Sequence, residues 1–511
     1  MSNTKTIARN TGWYGLESTI SSVVGLATSI AIARTLGPSK MGYIIYVSWI
    51  ASVVCSLGGM GIPATTQKYM AEFLGMGDRG TARYIYFRTM VFQVAVATVA
   101  TAGILFWVLR DANAGYRLAS ALIALSIWPS MVNSISAQAN VATEELSTNL
   151  PASVISIFVF FAAILATVVF NWGVIGVGAA MLIMRAVDFF VRFIPTMRRI
   201  LRWETAHVRP DGLGARMLMF CWQSVASMAV ALVVWDRSEL FLLKNLCADI
   251  RQVAYYSVAF NMAERLLMGS AVFGSATGAT IFAQYGRDKT RLASLTASTF
   301  RYLALTSIPL HFISAALAFP ALLLLYGNLY SGAALVVTLA PLLCLPKAFI
   351  GPVQSLLQSV EQQSYVIAAT VFAGVVDMGV AWYLIPAHGA VGACIGSGAA
   401  QITAVGIMWA IGIRRYNVQL PWVQLTKITI ISILAAMTAH FIAIRLSPLW
   451  AVLCGGTGSL VVLFGLMWVF RVLEPEDHNR FKILTGILPK RISGSADKLI
   501  SLLIRPGFAA D

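Results

Sequence analysis

The chain has 511 residues, of which 58% are hydrophobic and only 11% charged, with 37 Lys and Arg against 21 Asp and Glu and a formal net charge of +16. A soluble domain carries about 25% charged residues, so this composition excludes a soluble globular protein. A mean hydropathy of +0.77 points instead to a polytopic membrane protein.

Hydropathy and turn residues predict about fourteen membrane-spanning helices. The first six cover residues 11–36, 43–65, 86–109, 118–138, 150–170 and 173–196. The next six cover 217–243, 253–277, 300–326, 333–357, 365–385 and 390–413, and two more follow at 426–445 and 449–471. The first apolar segment is longer than a signal-peptide core and lacks a small-residue cleavage site, so it is expected to be a retained helix. With the N-terminus placed inside, 26 Lys and Arg residues fall on the inner side and seven on the outer. Four more, Arg185, Arg237, Arg265 and Lys347, lie within spans. Basic residues collect on the cytoplasmic side, so the bias predicts a multi-pass protein of the cytoplasmic (inner) membrane with both termini inside. It also accounts for the basic surplus without nucleic acid. The six cysteines show neither metal-ligand spacing nor a disulfide framework and read as small buried hydrophobes. Beyond residue 473 a basic amphipathic tail mixes Lys482, Lys490, Arg491, Lys498 and Arg505 with apolar clusters, the pattern of helices lying on an anionic inner leaflet.

The chain also repeats itself. Arg34-Thr-Leu36 matches Lys244-Asn-Leu246 at an offset of 210, and at the same offset Tyr46 meets Tyr256, Asp78 meets Asp288 and Arg79 meets Lys289. Gly173-Val-Ile-Gly176 meets Gly389-Ala-Val-Gly392 at an offset of 216. Each copy holds six spans, so two pseudo-symmetric lobes of one orientation are expected, 1–200 and 201–415, with 416–472 adding the last two spans. Parallel repeats of this kind are a transporter architecture with the substrate between the halves.

The segment Ala-Ile-Ala-Arg-Thr-Leu-Gly-Pro-Ser-Lys-Met-Gly-Tyr at 31–43 resembles the first-loop signature of the Wzx-type oligosaccharide flippases. These belong to the multidrug/oligosaccharidyl-lipid/polysaccharide flippase superfamily, which also holds multidrug exporters and lipid II flippases. Residues 235–243 and 255–261 are similar to that family's seventh and eighth spans, and 388–393 to the start of its twelfth. The resemblance spans roughly residues 10–475 and implies an all-α polytopic fold with two six-helix lobes around a cavity that opens alternately to either side. One departure stands out: the family carries glycines in the second-half loop where this chain has Cys247 and Val253. The implied cargo is a polyprenyl-diphosphate-linked oligosaccharide. Membrane lipids, a polysaccharide polymerase and chain-length machinery are the implied partners.

Charge at the bilayer centre costs about 2.5 kcal/mol or more on insertion scales, so intramembrane charges face a cavity or a partner. Arg185, Asp188 and Arg192 share one face of the sixth span, and Asn261 and Arg265 share one face of the eighth. Guanidinium forks and lysine ammonium groups suit a pyrophosphate. The candidate substrate contacts are therefore Arg185, Arg237, Asn261, Arg265 and Lys347, with Tyr46, Trp49, Trp128, Trp222 and Tyr256 as rings for sugar faces. Glu17, Asp188, Asp236, Glu239, Glu264 and Asp377 are candidates for coupling to H⁺ or Na⁺, because a membrane carboxylate can carry either. The plainer alternative is that these charges neutralise one another between helices. Beyond such an ion no cofactor is expected.

Enzyme readings fare poorly: there is no Walker A motif, no HExxH and no large soluble loop. The expected activity is flipping of an oligosaccharide repeat unit for surface polysaccharide synthesis. The alternatives are a lipid II or multidrug transporter of the same superfamily, or a membrane enzyme of polysaccharide assembly.

Overall fold

The computed structural model describes residues 2–472, apart from residues 60, 111–114, 144, 146–147, 205–210 and 236–237. The expected tail helices, together with Asp236, Arg237 and the side chain of Glu17, lie outside the described residues. Within them every regular element is helical and no strand occurs. Hydrocarbon offers no water to the backbone, so each span must close its own hydrogen bonds.

The first half of the chain contains α1 (Ser2–Gly58), α2 (Ile62–Gly75), α3 (Arg79–Arg110), α4 (Arg117–Leu125) and α5 (Ile127–Ala142). It continues with α6 (Asn149–Val169), α7 (Gly173–Leu201), α8 (Leu213–Trp235) and α9 (Glu239–Leu246). The second half contains α10 (Arg251–Arg287), α11 (Leu292–Tyr326), α12 (Ala334–Cys344), α13 (Ile350–Ser359), α14 (Gln363–His388), α15 (Ala390–Tyr416), α16 (Trp422–Ala443) and α17 (Pro448–Val469). Among the described residues, eleven stretches are long and apolar enough to cross a membrane, and the first, Ile20–Gly58, holds most of both the first and the second expected span. Those two meet at Gly37, whose φ of 71° and ψ of 170° interrupt α1. Pro38 disfavours helical geometry in the residue before it, and glycine takes positive φ without a Cβ clash.

By packing, the chain divides into two compact units, Met1–Ala254 and Tyr255–Asp511. In the first, Tyr86 and Ser136 share a hydrogen bond of 3.1 Å that joins α3 to α5. Nearer the other end of the same pair, the Trp128 indole donates to Thr98 at 3.2 Å. Where the end of α5, the start of α6 and the end of α7 meet, Asn140 donates to Asn149 at 2.8 Å and accepts from Thr196 at 3.0 Å and Arg199 at 2.7 Å. Arg199 also pairs with Glu145. The helix α8 packs on the break that precedes α2, where a Cβ on Gly61 would lie 2.6 Å from the Cys221 carbonyl oxygen.

The loop after α9 departs from the glycine pattern in a readable way. Cys247 is extended (φ −113°, ψ 129°), so no positive φ is needed there. Asp249 instead accepts the Arg251 backbone N–H at 3.0 Å and its Nε at 2.9 Å, capping the start of α10. The equivalent acids at the other end of the repeat also cap helices. Asp78 accepts the Thr81 N–H at 2.8 Å, and Asp288 accepts the Thr290 N–H at 2.9 Å and its hydroxyl at 2.6 Å.

In the second unit α10 and α13 approach closely through Gly274 and Gly351, where a Cβ on Gly351 would lie 3.1 Å from the Gly274 Cα. Small residues let transmembrane backbones approach this way. The expected tenth span is broken by a 3-10 turn, Leu345–Phe349, between α12 and α13. Pro346 has no N–H to continue the helix, and the Trp409 indole N–H satisfies the Phe349 carbonyl at 3.0 Å.

The sequence repeat has a structural counterpart in the hairpins α6–α7 and α14–α15. Gly173 (φ 59°) and Gly389 (φ 53°) turn the chain into the second helix of each. Three residues on, a Cβ on Gly176 would lie 2.4 Å from Thr167, and one on Gly392 would lie 2.6 Å from the Leu384 carbonyl carbon. The glycines recur because both hairpins close at the same kind of contact.

Candidate functional site

Both broken spans of the first unit open onto one cavity of about 500 Å³. Its walls come from α1 beyond the kink, from α2, α5 and α7, and from Ser224 and Met228 of α8. On α1 it is lined by Ser48, Ser52 and Ser56, and on α5 by Ser130, Ser134 and Gln138, with Ser126 at the break between α4 and α5. Residues four apart share a helix face, so Ser48, Ser52 and Ser56, and likewise Ser126, Ser130 and Ser134, each form a hydroxyl ladder about 12 Å long at a rise of about 1.5 Å per residue, with the Gln138 amide one turn beyond the second. The α5 ladder begins where Pro129, lacking an N–H, leaves the Leu125 carbonyl without its helical donor. Irregular backbone at membrane depth is tolerated where it lines a polar cavity, and Gly59 and Gly61 line it as well.

Among the described lining residues, Arg185 is the only charged group. It is exposed to the cavity. Asp188, one turn further along α7, is engaged elsewhere: Asn133 donates to one carboxylate oxygen at 2.7 Å and Arg192 to the other at 2.8 Å. Arg192 also donates to Ser153 at 3.0 Å, so the Asp188–Arg192 pair ties α7 to α5 and α6. The cavity thus sets serine hydroxyls, the Gln67 and Gln138 amides and one guanidinium among apolar walls that include Ile123, Ile127, Met131, Met181, Met184 and Met228, a lining able to meet a polar head group and to fork onto phosphate oxygens.

The serine ladders were not among the residues singled out from the sequence. The signal was there in the i, i+4, i+8 spacing of Ser48, Ser52 and Ser56. At the repeat offset of 210 the second copy has Val258, Met262 and Leu266, so helix packing in this architecture does not itself require the hydroxyls.

The other expected residues are spread over several places. Tyr46 is buried and lines a separate cavity toward the loop ends, described below. Trp49 is half-buried on the same helix, and Trp222 is 73% exposed on α8. Trp128 packs edge-on against Phe189. Glu239 is buried in the first turn of α9, where a carboxylate opposes the positive end of the helix dipole.

In the second unit, Lys347 sits on the 3-10 turn and its ammonium lies 4.0 Å from the Glu264 carboxylate. Asn261 and Arg265 are half-buried on the same helix as Glu264. Asp377 is 1% exposed on α14, and a Cβ on Gly396 would lie 3.1 Å from its Oδ1, so glycine at 396 is what lets the carboxyl sit against α15. Tyr256 is buried beside Ser397 and Gln401. A large cavity in this unit, about 690 Å³, lies among α11, α12 and α16 and is lined by Phe312, Phe319, Leu342, Met437 and Phe441, with His440. Among the described residues, no cluster of His, Cys, Asp and Glu is placed to hold a metal ion.

This arrangement of long, broken and glycine-hinged helices is the fold of the MOP superfamily transporters. The lipid II flippase MurJ, in an inward closed conformation, superposes with a TM-score of 0.72 at 12% identity, over 89% of this chain and 98% of MurJ. A multidrug resistance MATE family transporter of the MOP superfamily, inward-facing, superposes with a TM-score of 0.65 at 14% identity, over 78% of this chain and 94% of that one. A MOP superfamily transporter from Pyrococcus furiosus gives a TM-score of 0.57 at 15% identity, over 81% and 96% of the two chains. No protein-family model and no curated protein sequence matches the chain.

Proposed function

We propose that this protein is a flippase that moves a polyprenyl-diphosphate-linked oligosaccharide repeat unit across the cytoplasmic membrane by alternating access, for assembly of a surface polysaccharide. The observation that carries the proposal is the cavity in which Arg185 is the only charged group among the described lining residues, set between two serine ladders. A cationic drug would meet a like charge there and no counter-charge among the described lining residues. A sugar head group would find hydroxyl partners, and its diphosphate would find a guanidinium. The apolar cavity among α11, α12 and α16 offers hydrocarbon contact for a lipid tail while the head group crosses. The exported unit would pass to a polysaccharide polymerase and its chain-length machinery.

Coupling to H⁺ or Na⁺ belongs to the same proposal. Asp377 is the acid assigned to it, because a carboxylate held at 1% exposure beside a glycine-lined helix changes its solvation when the helix pair moves. Transport that continues unchanged after both gradients are collapsed would remove the coupling.

A second reading is favoured by the superposition on MurJ: the cargo would be lipid II, whose diphosphate asks for the same arginine. Reconstituted vesicles given fluorescent lipid II in one arm and a polyprenyl-diphosphate oligosaccharide in the other decide between them by which lipid changes leaflet. Movement of neither lipid sinks both readings.

A further inference from the structure

The first unit carries a second cavity, about 470 Å³, built from aromatic and cationic side chains at the ends of its helices. Tyr43 and Tyr46 enter it from α1 just beyond the kink, Trp107 and Arg110 from the end of α3, Tyr116 from the start of α4, and Lys244 from α9. The charge bias of the loops assigns these ends to the outer side. Tyr43 stacks on Tyr116 with ring centroids 4.3 Å apart, and the Ser120 hydroxyl donates to the Tyr43 oxygen at 3.3 Å. The rim is held by Gly42, where a Cβ would lie 2.3 Å from the Ile250 carbonyl oxygen, so only glycine admits the loop that follows α9.

An ordinary interfacial belt turns its rings toward lipid head groups. Here Tyr43 and Tyr46 are 8% and 7% exposed and form the floor of a recess. Arg110 and Lys244 are exposed at its edge, and no acid is among the described lining residues. The volume falls within the range of about 300–1,000 Å³ typical of small-molecule sites. Apolar C–H faces of a sugar pack on such rings, Ser39 and Asn245 can bond its hydroxyls, and a carboxylate or phosphate substituent meets two cations.

We infer that this recess is a binding site for an acidic saccharide, which receives the head group on the outer side after it has crossed. The inference rests on the flippase reading and deepens it, naming an anionic sugar as the class of cargo. Both cavities would then be anion-selecting, the serine-lined one for the diphosphate and this one for the sugar.

The test uses the full chain in phosphatidylcholine nanodiscs, with a hyaluronan tetrasaccharide as acidic probe and chitobiose as neutral control. Binding is read by calorimetry and saturation-transfer NMR. The tetrasaccharide is expected to bind, and Trp107→Ala and Lys244→Ala, both at exposed positions that folding tolerates, are each expected to weaken it about tenfold or more. Chitobiose is expected to bind more weakly and to be insensitive to Lys244→Ala. Equal binding of the two sugars overturns the inference. So does binding that survives Trp107→Ala but is lost in Arg185→Ala, which would place the probe in the serine-lined cavity. Displacement of the probe by phosphatidylglycerol in the disc assigns the recess to a lipid head group and also overturns it. If the tetrasaccharide fails to bind while vesicles still flip the lipid-linked cargo, this inference falls alone and the flippase reading stands.

Discussion

Arg185 and Arg192 stand two turns apart on α7, one lining the cavity and the other paired with Asp188, and the proposed function gives them opposite roles that one experiment can separate. Arg185 faces the serine-lined cavity, so replacing it with alanine leaves no buried partner behind. A surface-like substitution of this kind changes stability by about 0.5 kcal/mol or less. Its cost falls on the cargo instead. Hydrogen bonds to a charged group are worth about 1.5–3 kcal/mol, and water in the cavity replaces part of a forked pair. The net loss is then about 2–3 kcal/mol, or roughly 30- to 150-fold in apparent affinity.

Arg192→Ala does the reverse. It leaves the Asp188 carboxylate, whose side chain is 16% exposed, with Asn133 as its remaining donor in the bond set described above. Breaking a buried pair costs about 3–5 kcal/mol, and the surviving Asn133 bond places this case near the lower figure. The assay is leaflet exchange of a fluorescent polyprenyl-diphosphate oligosaccharide in proteoliposomes, with the thermal midpoint of each purified variant measured in parallel. Arg185→Ala should raise KM at an unchanged midpoint, and Arg185→Lys should recover part of the affinity as a point charge. Arg192→Ala should lower the midpoint and the yield. An Arg185→Ala protein whose KM stays within about threefold of wild type, or which melts as early as Arg192→Ala, would refute the assignment of that side chain to cargo.

Four further outcomes follow from the structure. Gly42→Ala drives a Cβ to 2.3 Å from the Ile250 carbonyl oxygen, so overpacking should cost about 1–3 kcal/mol. Gly75→Ala, with nothing within 4 Å of its Cβ, should leave the thermal midpoint unchanged or raised. Trp409→Phe removes the donor to the Phe349 carbonyl at the helix break and should cost about 1–3 kcal/mol in chemical denaturation; no change would mean that the carbonyl finds another donor there. Asp78 is held below its ordinary pKa by hydrogen bonds from the Thr81 side chain and backbone. A depressed carboxylate contributes stability that is complete above its unfolded pKa of about 3.9 and is lost as pH falls through the folded value. The gap in thermal midpoint between wild type and Asp78→Ala should therefore be constant from about pH 5 upward and shrink below pH of about 4. A gap that widens in acid would contradict the capping role.

Most of the helical layout was legible in the sequence. The segments expected at 150–170, 173–196, 365–385 and 390–413 correspond to α6, α7, α14 and α15, because apolar length and the glycines at 173 and 389 act within a few residues of themselves. The break at Gly37–Pro38 and the capping by Asp78 and Asp288 are local in the same sense. The sequence also placed a set of charges within its apolar segments. It could not show what each one meets.

Spacing allows Asp188 to reach Arg185 or Arg192, and the rotation of α7 against α5 decided for Arg192 and Asn133. Glu264 adjoins Arg265 in sequence, yet it lies 4.0 Å from Lys347 on a distant segment. Tyr46 read as a partner for the same cargo as Arg185, and the structure puts it in a different cavity. The serine ladders show the limit most clearly. A hydroxyl on a transmembrane helix can bond the carbonyl one turn back, so its presence says nothing about its surroundings until neighbouring helices close around it. Periodicity along the chain determined which residues share a face, and only packing between helices decided whether that face met lipid, protein or a cavity.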